Sequence, residues 1–370
     1  MASCLSNKII LLLSNMFRCI TLRSASFWAS LLLYWSSGSW LSAGQIEAAR
    51  YRILDLGPSL VRTLAHTPGL NDKGDAAVWR TLNGNDVHSM LLQGAQATEL
   101  PGMGKFSVVY PADINNDGTI VGLLQDPQDM RFTQAFRWRH GKLQALPSLN
   151  GKYASATAVN LQGNVVGEAQ IASGAFHAVL WQSDLPRDLG TLAKGDYSAA
   201  RDINNKGIIV GEANIVSAGK PHAFLWQKGK LQKLPDMRGS TLCSAQAIND
   251  KNDIAGSCDL PLGGTHGVLW HDGKITDLGT LGEEDDSNST ALDINIHTQI
   301  VGSSEVSEGK LRAFLWERGA MLDLNTLIPV NSGWILLAAL RINAAGEVLG
   351  RGYYHDGIHL FLLVPARPSR

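Results

Sequence analysis

The sequence predicts an all-β fold, a seven-bladed β-propeller with four antiparallel strands in each blade. The first observation is a repeat, because one asparagine recurs seven times at intervals of 44 to 48 residues. These asparagines are Asn71, Asn115, Asn160, Asn204, Asn249, Asn295 and Asn343. The second observation is that each repeat holds four short apolar runs separated by Gly, Asn and Asp. Such runs are typical of strands, and this period is typical of propellers.

The clearest unit of the repeat is a hairpin, which residues 200–213 show best. Their sequence is ARDINNKGIIVGEA, in which one strand ends at Asn204, a turn closes at Gly207 and a second strand follows. Glycine fills the closing position in five repeats, and glycine adopts a positive φ without steric cost. We therefore predict a type I turn with a left-handed closing residue. Asn252 and Thr298 replace the glycine in two repeats, and the threonine predicts a distorted turn.

The third run of the repeat carries two recurring residue types. Its tryptophans are Trp138, Trp181, Trp226, Trp270 and Trp316. Large aromatic side chains at fixed repeat positions predict packing between neighbouring blades. Its histidines are His88, His177, His222, His266 and His359, with Gln134 and Arg312 in the two other repeats. A position that His, Gln and Arg share predicts a structural hydrogen-bond donor at a strand start.

The two ends of the repeating part complement each other. Residues 51–57 (YRILDLG) are similar to the fourth run of a repeat, and residues 359–364 are similar to the third. The last repeat therefore lacks a fourth strand, which the N-terminal segment can supply. Pairing of the two segments would close the ring and cover two exposed sheet edges. We expect residues 46–366 to form one propeller domain of seven repeats, and we expect the protein to be a monomer.

Residues 1–45 differ in composition from the rest of the chain and predict an N-terminal leader. Basic residues precede an apolar stretch at 27–35, and small residues follow it at 42–44. This order is that of a secretory signal peptide, and Met16 as the true start would give the leader an ordinary length. The alternative is an N-terminal membrane anchor, although the stretch is short for a bilayer span. We expect cleavage, a secreted or periplasmic domain and no stable membrane span in the mature protein.

Two cysteines, Cys243 and Cys258, lie outside the leader on the two strands of one hairpin. A three-residue loop closed by Asn252 would place Cys243 opposite Asp259 and the two sulfurs on opposite faces. A loop of two or four residues would instead place the cysteines directly opposite each other. A disulfide and a pair of buried free thiols are both open. Export would favour the disulfide.

Three motifs together resemble the HAF-repeat family, a family of extracellular repeat proteins. They are HAFLW at 222–226, DLGTLG at 277–282 and IN-x-x-G-x-IVG at 203–211. The last repeat, from LNTLIPVNSGW to INAAGEVLG, is similar to the terminal unit of that family. The resemblance covers about residues 51–365 and implies an exported repeat protein, with no catalytic pattern to carry over. The first repeat departs from it, because Val78-Trp79 replaces the usual Val-Gly.

Composition and motifs exclude several functions. The formal net charge is −1 and charged residues make up 18% of the chain, so we expect no nucleic-acid partner, which would need a basic face. Asp113 to Gly118 imitates the start of a calcium loop, but position twelve of such a loop is Leu124 and not a bidentate Glu. No nucleophile elbow, HExxH motif or phosphate-binding loop is present. We expect no metal and no cofactor.

The candidate site is one rim of the propeller, because the connections that vary most between repeats share it. Variable loops on a rigid scaffold are where binding normally occurs. Aromatic residues and arginine dominate interface energies, so the candidate ligand-binding residues are Arg131, Tyr197, Trp334, Tyr353 and Tyr354. The expected partner is an extracellular protein or glycan. The alternative is a hydrolase or lyase with polar side chains and shifted pKa values converging on the central channel.

Overall fold

The computed structural model describes residues 49–58, 67–82, 86–283, 287–307, 309–355 and 357–366. The predicted leader at 1–45, with Met16, lies outside the described residues. The described part of the chain is built from β-strands and one short 3₁₀ helix, Leu324–Leu327. Within it, no helix has the length and apolar character needed to cross a membrane.

Most strands belong to four-stranded antiparallel meanders, as the four apolar runs predict. The first repeat forms β2 (Gly69–Leu70), β3 (Ala76–Leu82), β4 (Asp86–Gln93) and β5 (Gln96–Glu99). A later sheet holds β14 (Ser198–Ile203), β15 (Ile209–Asn214), β16 (Pro221–Gln227) and β17 (Lys230–Lys233). The next sheet holds β18 (Cys243–Ile248), β19 (Ile254–Asp259), β20 (Thr265–His271) and β21 (Lys274–Asp277). A further sheet holds β22 (Ser289–Ile294), β23 (Ile300–Ser307), β24 (Lys310–Glu317) and β25 (Ala320–Asp323).

Two repeats are joined in one eight-stranded sheet. Its first half is β6 (Val108–Ile114), β7 (Ile120–Asp126), β8 (Asp129–Arg139) and β9 (Lys142–Leu146). Its second half is β10 (Asn150–Val159), β11 (Val165–Ile171), β12 (Phe176–Gln182) and β13 (Leu185–Asp188). A single parallel pairing, Tyr153 with Thr133, connects β10 to β8.

The two ends of the chain form the remaining sheet. β1 (Tyr51–Pro58) pairs antiparallel with β28 (Gly357–Pro365), which continues to β27 (Val348–Tyr354) and β26 (Trp334–Ile342). The predicted pairing of residues 51–57 with 359–364 is therefore present. His359 Nδ1 lies 2.9 Å from Asp55 Oδ1, and the equivalent histidine in β12, His177, contacts Asp188 in β13 in the same way. β1 thus occupies the place of a fourth strand.

The repeated asparagine links each hairpin turn to the next. In every repeat its Oδ1 accepts the backbone N–H groups two and four residues later, as in the bonds from Lys206 and Ile208 to Asn204. Its Nδ2 donates to the backbone carbonyl of the asparagine in the following repeat, at 2.9 to 3.2 Å. The last of them, Asn343, donates to Asn71 at 3.0 Å. The seven asparagines therefore form a continuous circle of hydrogen bonds.

The turns have the predicted chemistry, with one correction. Gly207 closes its turn at a φ of 74° and its N–H donates to the carbonyl of Asn204. Thr298 adopts the same left-handed conformation at a φ of 59° and makes the same backbone bond to Asn295. The predicted distortion at Thr298 was wrong. Its Oγ1 donates to the buried Asp253 at 2.7 Å, which offsets the strain of a β-branched residue at positive φ.

A β-bulge in the first strand accompanies a glycine in the second. In β14 the register shifts between Ala200 and Asp202, so that Arg201 is an extra residue without a partner. A Cβ added to Gly211, on the facing strand, would overlap the backbone carbonyl of Ala199. The glycine therefore permits the close backbone approach at the bulge. The same shift occurs in β6, β10, β18, β22 and β26, and a bulge changes the direction of the extra side chain.

The bulge also decides the cysteine pairing. In β18 the register shifts between Ala245 and Ala247, which moves Cys243 from Asp259 to Cys258. The two sulfurs lie 2.07 Å apart in a disulfide. Of the two registers left open by the sequence, the structure has the one with the cysteines directly opposite, and a bulge rather than a different loop length produces it.

The hydrophobic core lies between neighbouring sheets. One cluster joins Leu180 of β12 to Ile209, Phe224 and Trp226 of the next sheet. Trp181, with 1% of its surface exposed, and Trp270, with 2%, belong to equivalent clusters. The indole N–H of Trp181 donates to the carbonyl of Pro147 at 2.7 Å. Packing of the repeated tryptophans between neighbouring sheets is confirmed.

Candidate functional site

The structure distributes the five rim candidates over different environments. Arg131 is almost fully exposed and forms an ion pair with its near neighbour Asp129, with Nε 2.9 Å from Oδ1. Tyr353 is 51% exposed. Trp334 is only 9% exposed and stacks on Tyr354 with ring centroids 4.5 Å apart. Of these four, Arg131 and Tyr353 are the ones that present their side chains to solvent.

Trp334 and Tyr354 pack in the hydrophobic core. Trp334 also meets the edge of Phe361 at 5.8 Å and belongs to the cluster that contains Leu336 and Leu363. Trp334 begins β26, and its side chain packs in this cluster and presents little surface to a ligand.

Tyr197, the fifth candidate, belongs to a separate group of hydrogen-bonded polar side chains. Its hydroxyl donates to Glu212 Oε1 at 3.0 Å, and Nη2 of Arg201 donates to the same oxygen. One repeat earlier, the Tyr153 hydroxyl donates to Glu168 Oε1 at 3.3 Å. The positive charge of Arg201 acts to lower the pKa of both glutamates. These five residues, named here the Arg201 cluster, are half-buried.

Arg201 of this cluster lines two adjoining cavities, which together we name the channel. One cavity of about 360 Å³ is lined by the first hairpins of all seven repeats. The other, of about 320 Å³, is lined by side chains from the first strands, including the hydroxyl residues Thr67, Tyr110, Ser155, Thr157 and Thr290. Five residues line both cavities: Thr157, Arg201, Gln246, Leu292 and Arg341. All of these except Arg341 occupy bulge positions, so the bulge directs their side chains toward the channel.

The two glutamates of the cluster differ electrostatically. Burial raises the pKa of Glu168, and the positive charge of Arg201 offsets only part of that rise. Burial acts in the same direction at Glu212, but the charge of Arg201 and its hydrogen bond hold the Glu212 pKa below its usual value. Burial raises the pKa of Tyr153 to about 12, so this hydroxyl stays a donor at neutral pH. The Nε atom of Arg201 is buried and has no hydrogen-bond partner within the described structure.

Three aspartates connect neighbouring repeats at the larger cavity, of about 360 Å³. Asp113, Asp202 and Asp293 each accept two backbone N–H groups, one from the next residue and one from the following repeat. For Asp202 these donors are Ile203 at 2.7 Å and Ile248 at 2.8 Å. Burial raises the pKa of all three, to about 7 for Asp202 and to about 6 for Asp293. The charge of Arg341 acts against this rise at Asp113 and Asp293.

Metal binding has no support in the part of the chain that the structure describes. No group of three or more His, Cys, Asp or Glu side chains is placed there to hold an ion. In the calcium-like segment, Asn115 uses Oδ1 to accept the N–H groups of Asp117 and Thr119. The repeated histidines contact carboxylates instead, as in His222 with Asp236 and His266 with Asp277.

Sequence reasoning missed the channel residues. The bulged position lies three residues before each repeated asparagine and holds Ala112, Thr157, Arg201, Gln246, Leu292 and Leu340. The hairpin is otherwise nearly constant between repeats, yet this position differs in almost every one of them. That variation inside an otherwise constant strand was the available signal.

Known structures share the fold of this chain. No protein-family model and no curated protein matches the sequence. The β-propeller domain of the Trilobed protease from Pyrococcus furiosus, described with an open velcro topology, is 12% identical over 80% of this chain and 93% of its own, with a TM-score of 0.52. A puromycin-hydrolyzing peptidase of Mycobacterium tuberculosis is 13% identical over 87% of this chain, with a TM-score of 0.56. The acylaminoacyl peptidase of Pyrococcus horikoshii is 12% identical over 80%, with a TM-score of 0.50.

These likenesses show the β-propeller fold and no more. The chain spans about half the length of the two peptidases, 52% and 51%.

Proposed function

We propose that the protein is an exported, seven-bladed propeller that acts as a binding module, with its ligand in the channel. The circle of seven asparagines and the pairing of β1 with β28 support a ring of seven blades. The disulfide between Cys243 and Cys258 supports an oxidising compartment, secreted or periplasmic. The HAF-like motifs favour the same placement.

The observation that carries the site is the convergence of polar side chains on the channel. The smaller cavity presents five hydroxyl groups, the amide of Gln246 and the guanidinium groups of Arg201 and Arg341. Most ligand pockets are predominantly apolar with a few placed polar groups. A cavity dominated by hydroxyl, amide and charged groups suits a ligand that donates and accepts hydrogen bonds over its whole surface.

A saccharide is the ligand class that fits best. Each sugar hydroxyl both donates and accepts a hydrogen bond, and the Arg201 cluster offers both functions side by side. The buried Nε of Arg201 lacks an acceptor, and a buried donor without a partner is costly. Glu212 accepts a hydrogen bond from Nη2 of Arg201 and so fixes the guanidinium that faces the channel.

A glycan array tests this function. Wild-type protein should bind a defined set of oligosaccharides. Gln246→Leu should weaken that binding about tenfold, because it removes one hydrogen-bonding amide from both cavities and leaves the Arg201–Glu212 pair intact. Gln182→Leu, at the exposed end of β12, is the matched control and should bind normally. Absence of binding on the whole array, or equal binding by both variants, would contradict the proposal.

Hydrolysis of a glycosidic bond is a second candidate, favoured by one observation. Glu168 and Glu212 occupy equivalent positions in neighbouring repeats, yet their environments move their pKa values in opposite directions. Paired carboxyl groups with separated pKa values are typical of acid and base roles. Release of reducing ends from an array-positive oligosaccharide, abolished in Glu168→Gln, would establish the activity. Unchanged oligosaccharide after prolonged incubation leaves binding as the function.

A further inference from the structure

A second polar surface lies away from the channel, on the rim that carries the variable loops. It consists of Lys105, Phe106, Phe132 and Lys152, and we name it the lysine–phenylalanine patch. The ammonium of Lys105 lies 4.5 Å from the ring centroid of Phe132 and 5.1 Å from that of Phe106. The ammonium of Lys152 lies 5.2 Å from the same Phe132 ring. The Phe132 ring therefore contacts both ammonium groups, those of Lys105 and Lys152.

The patch exists because two repeats are joined there. β8 has eleven residues, whereas β12 and β16 have seven each and do not reach the position equivalent to Phe132. The parallel pairing of Thr133 with Tyr153 brings Phe132 beside Lys152 at the start of β10. Lys105 comes from the connection between β5 and β6. This junction is a departure from the repeat, so repeat architecture alone does not explain it.

The charges of the patch are only partly compensated. Lys105 Nζ lies 3.3 Å from Asp126 Oδ2, and the N–H of Gln128 together with Lys105 holds the pKa of Asp126 below its usual value. Arg131, next to Phe132, is paired with Asp129. Lys152 has no carboxylate partner among the described residues. Lys152 therefore offers an external anion an ammonium that no described carboxylate neutralises.

We infer that the lysine–phenylalanine patch binds carboxylate or sulfate groups of an acidic polysaccharide. A cation held by an aromatic face is attracted to the ring and keeps its position, so the two ammonium groups are presented to an anion with little loss of side-chain entropy. The side chain of Lys105 is 58% exposed, and that of Arg131 is 91% exposed. A flexible polyanion can therefore reach all three cations.

The observations favour a polysaccharide over a membrane surface. Interfacial anchoring requires a substantial apolar face beside the cations. Met130 is the one strongly exposed large apolar side chain within this loop. The charge also falls short of what sequence-independent nucleic-acid binding needs, since the whole chain has a net charge of −1.

Equilibrium binding of the full chain to polygalacturonate, with dextran as the neutral polymer, tests the inference. Wild-type protein should bind polygalacturonate and not dextran, and binding should weaken as salt rises from about 0.05 M to about 0.5 M. Lys105→Gln/Lys152→Gln should weaken it about tenfold through the loss of two linked contacts. Lys230→Gln/Lys274→Gln, which changes the net charge equally at exposed positions of β17 and β21, should leave it unchanged.

A third variant separates geometry from charge. Phe132→Leu keeps every charge but removes the ring that positions both ammonium groups, and it should weaken polygalacturonate binding at least about threefold. Gln246→Leu in the channel should not affect it. The inference is overturned if wild-type protein does not bind polygalacturonate, if both lysine pairs weaken binding equally, or if anionic phosphatidylglycerol vesicles are bound and the polysaccharide is not.

Discussion

The side-chain amide of Asn343 donates a hydrogen bond to the backbone carbonyl of Asn71, 272 residues earlier, at 3.0 Å. The same bond links every other repeat to its successor over 44 to 48 residues. The bond that joins successive repeats elsewhere therefore also joins the last repeat to the first, across 272 residues. Together with the pairing of β1 and β28, this buried amide connects the two ends of the repeating part.

Asn343→Ala should destabilise the protein by about 2 to 4 kcal/mol. The change removes the bond to Asn71 and leaves the N–H groups of Ala345 and Glu347 without their acceptor, and each lost buried bond costs about 1 kcal/mol or more. Denaturant unfolding gives the measurement. Asn116→Ala is the control, since Asn116 lies in an equivalent turn, is only half-buried and bonds through its side chain to Asp72; it should cost less than about 1 kcal/mol. Equal costs for the two would contradict the role of the circle.

Gly211→Ala should destabilise the protein by at least about 3 kcal/mol, or prevent folding. Its Cβ would meet the backbone of Ala199 at the bulge, and backbone cannot yield as a flexible side chain can. Gly207→Asn is the matched control. Gly207 has a positive φ but open space around it, and Asn252 already occupies the equivalent position, so the cost should be below about 1 kcal/mol. A mild Gly211→Ala variant would mean that the bulge is not needed.

Reduction of the disulfide should lower the free energy of unfolding by about 3 kcal/mol, as expected when a cross-link closes a loop of this size. Cys243 and Cys258 are separated by 15 residues. The measurement is the unfolding midpoint with and without a thiol reductant. The Cys243→Ala/Cys258→Ala variant should be less stable by a similar amount and should not respond to reductant. A wild-type midpoint that reductant does not change would show that the bond is not formed.

The free energy of unfolding should fall as pH rises from about 4 to about 7 through the contribution of Asp202. Burial raises its folded-state pKa to about 7, whereas an unfolded Asp titrates near 3.9. In this window the folded state holds a proton that the unfolded state releases, so rising pH favours unfolding. Asp202→Asn should be less stable overall, because it loses an acceptor for Ile248, but its stability should depend less on pH.

The pKa of Asp259 is shifted in the opposite direction to that of Asp202. Burial acts to raise its pKa, but the hydroxyls of Thr241 and Ser240 outweigh burial and hold the pKa below its usual value. Its contribution should therefore be present above about pH 4 and lost as pH falls further. Asp259→Asn should be less stable than the wild-type protein above about pH 4, and the difference should shrink as pH falls further. Identical pH profiles for the two aspartate variants would show that the two sites do not differ as described.

The repeat and its strands could be predicted from sequence because turn chemistry and apolar runs recur in phase. Asn204 and Gly207 are residue types that favour this turn. The similarity of residues 51–57 to a fourth strand predicts the pairing of β1 with β28. Those inferences rest on local preferences that tertiary packing does not override.

The bulge could not be read in the same way, and most errors follow from it. The register of Cys243, the inward direction of Arg201 and the role of Gly211 all depend on one extra residue per first strand. A glycine inside a strand can mark a bulge, and the recurring Val-Gly pair was that mark. The burial of Trp334 and the hydrogen bond of Tyr197 to Glu212 could not be read from sequence, because both residues lie where a variable connection meets a first strand.

A structure of the protein with bound oligosaccharide tests the central claim most directly. The oligosaccharide is the tightest ligand found on the array, and crystals are soaked with it. We predict density in the channel, within hydrogen-bond distance of Arg201 and Gln246. Density only on the rim, beside Tyr353 or the lysine–phenylalanine patch, with an unchanged channel would contradict the claim.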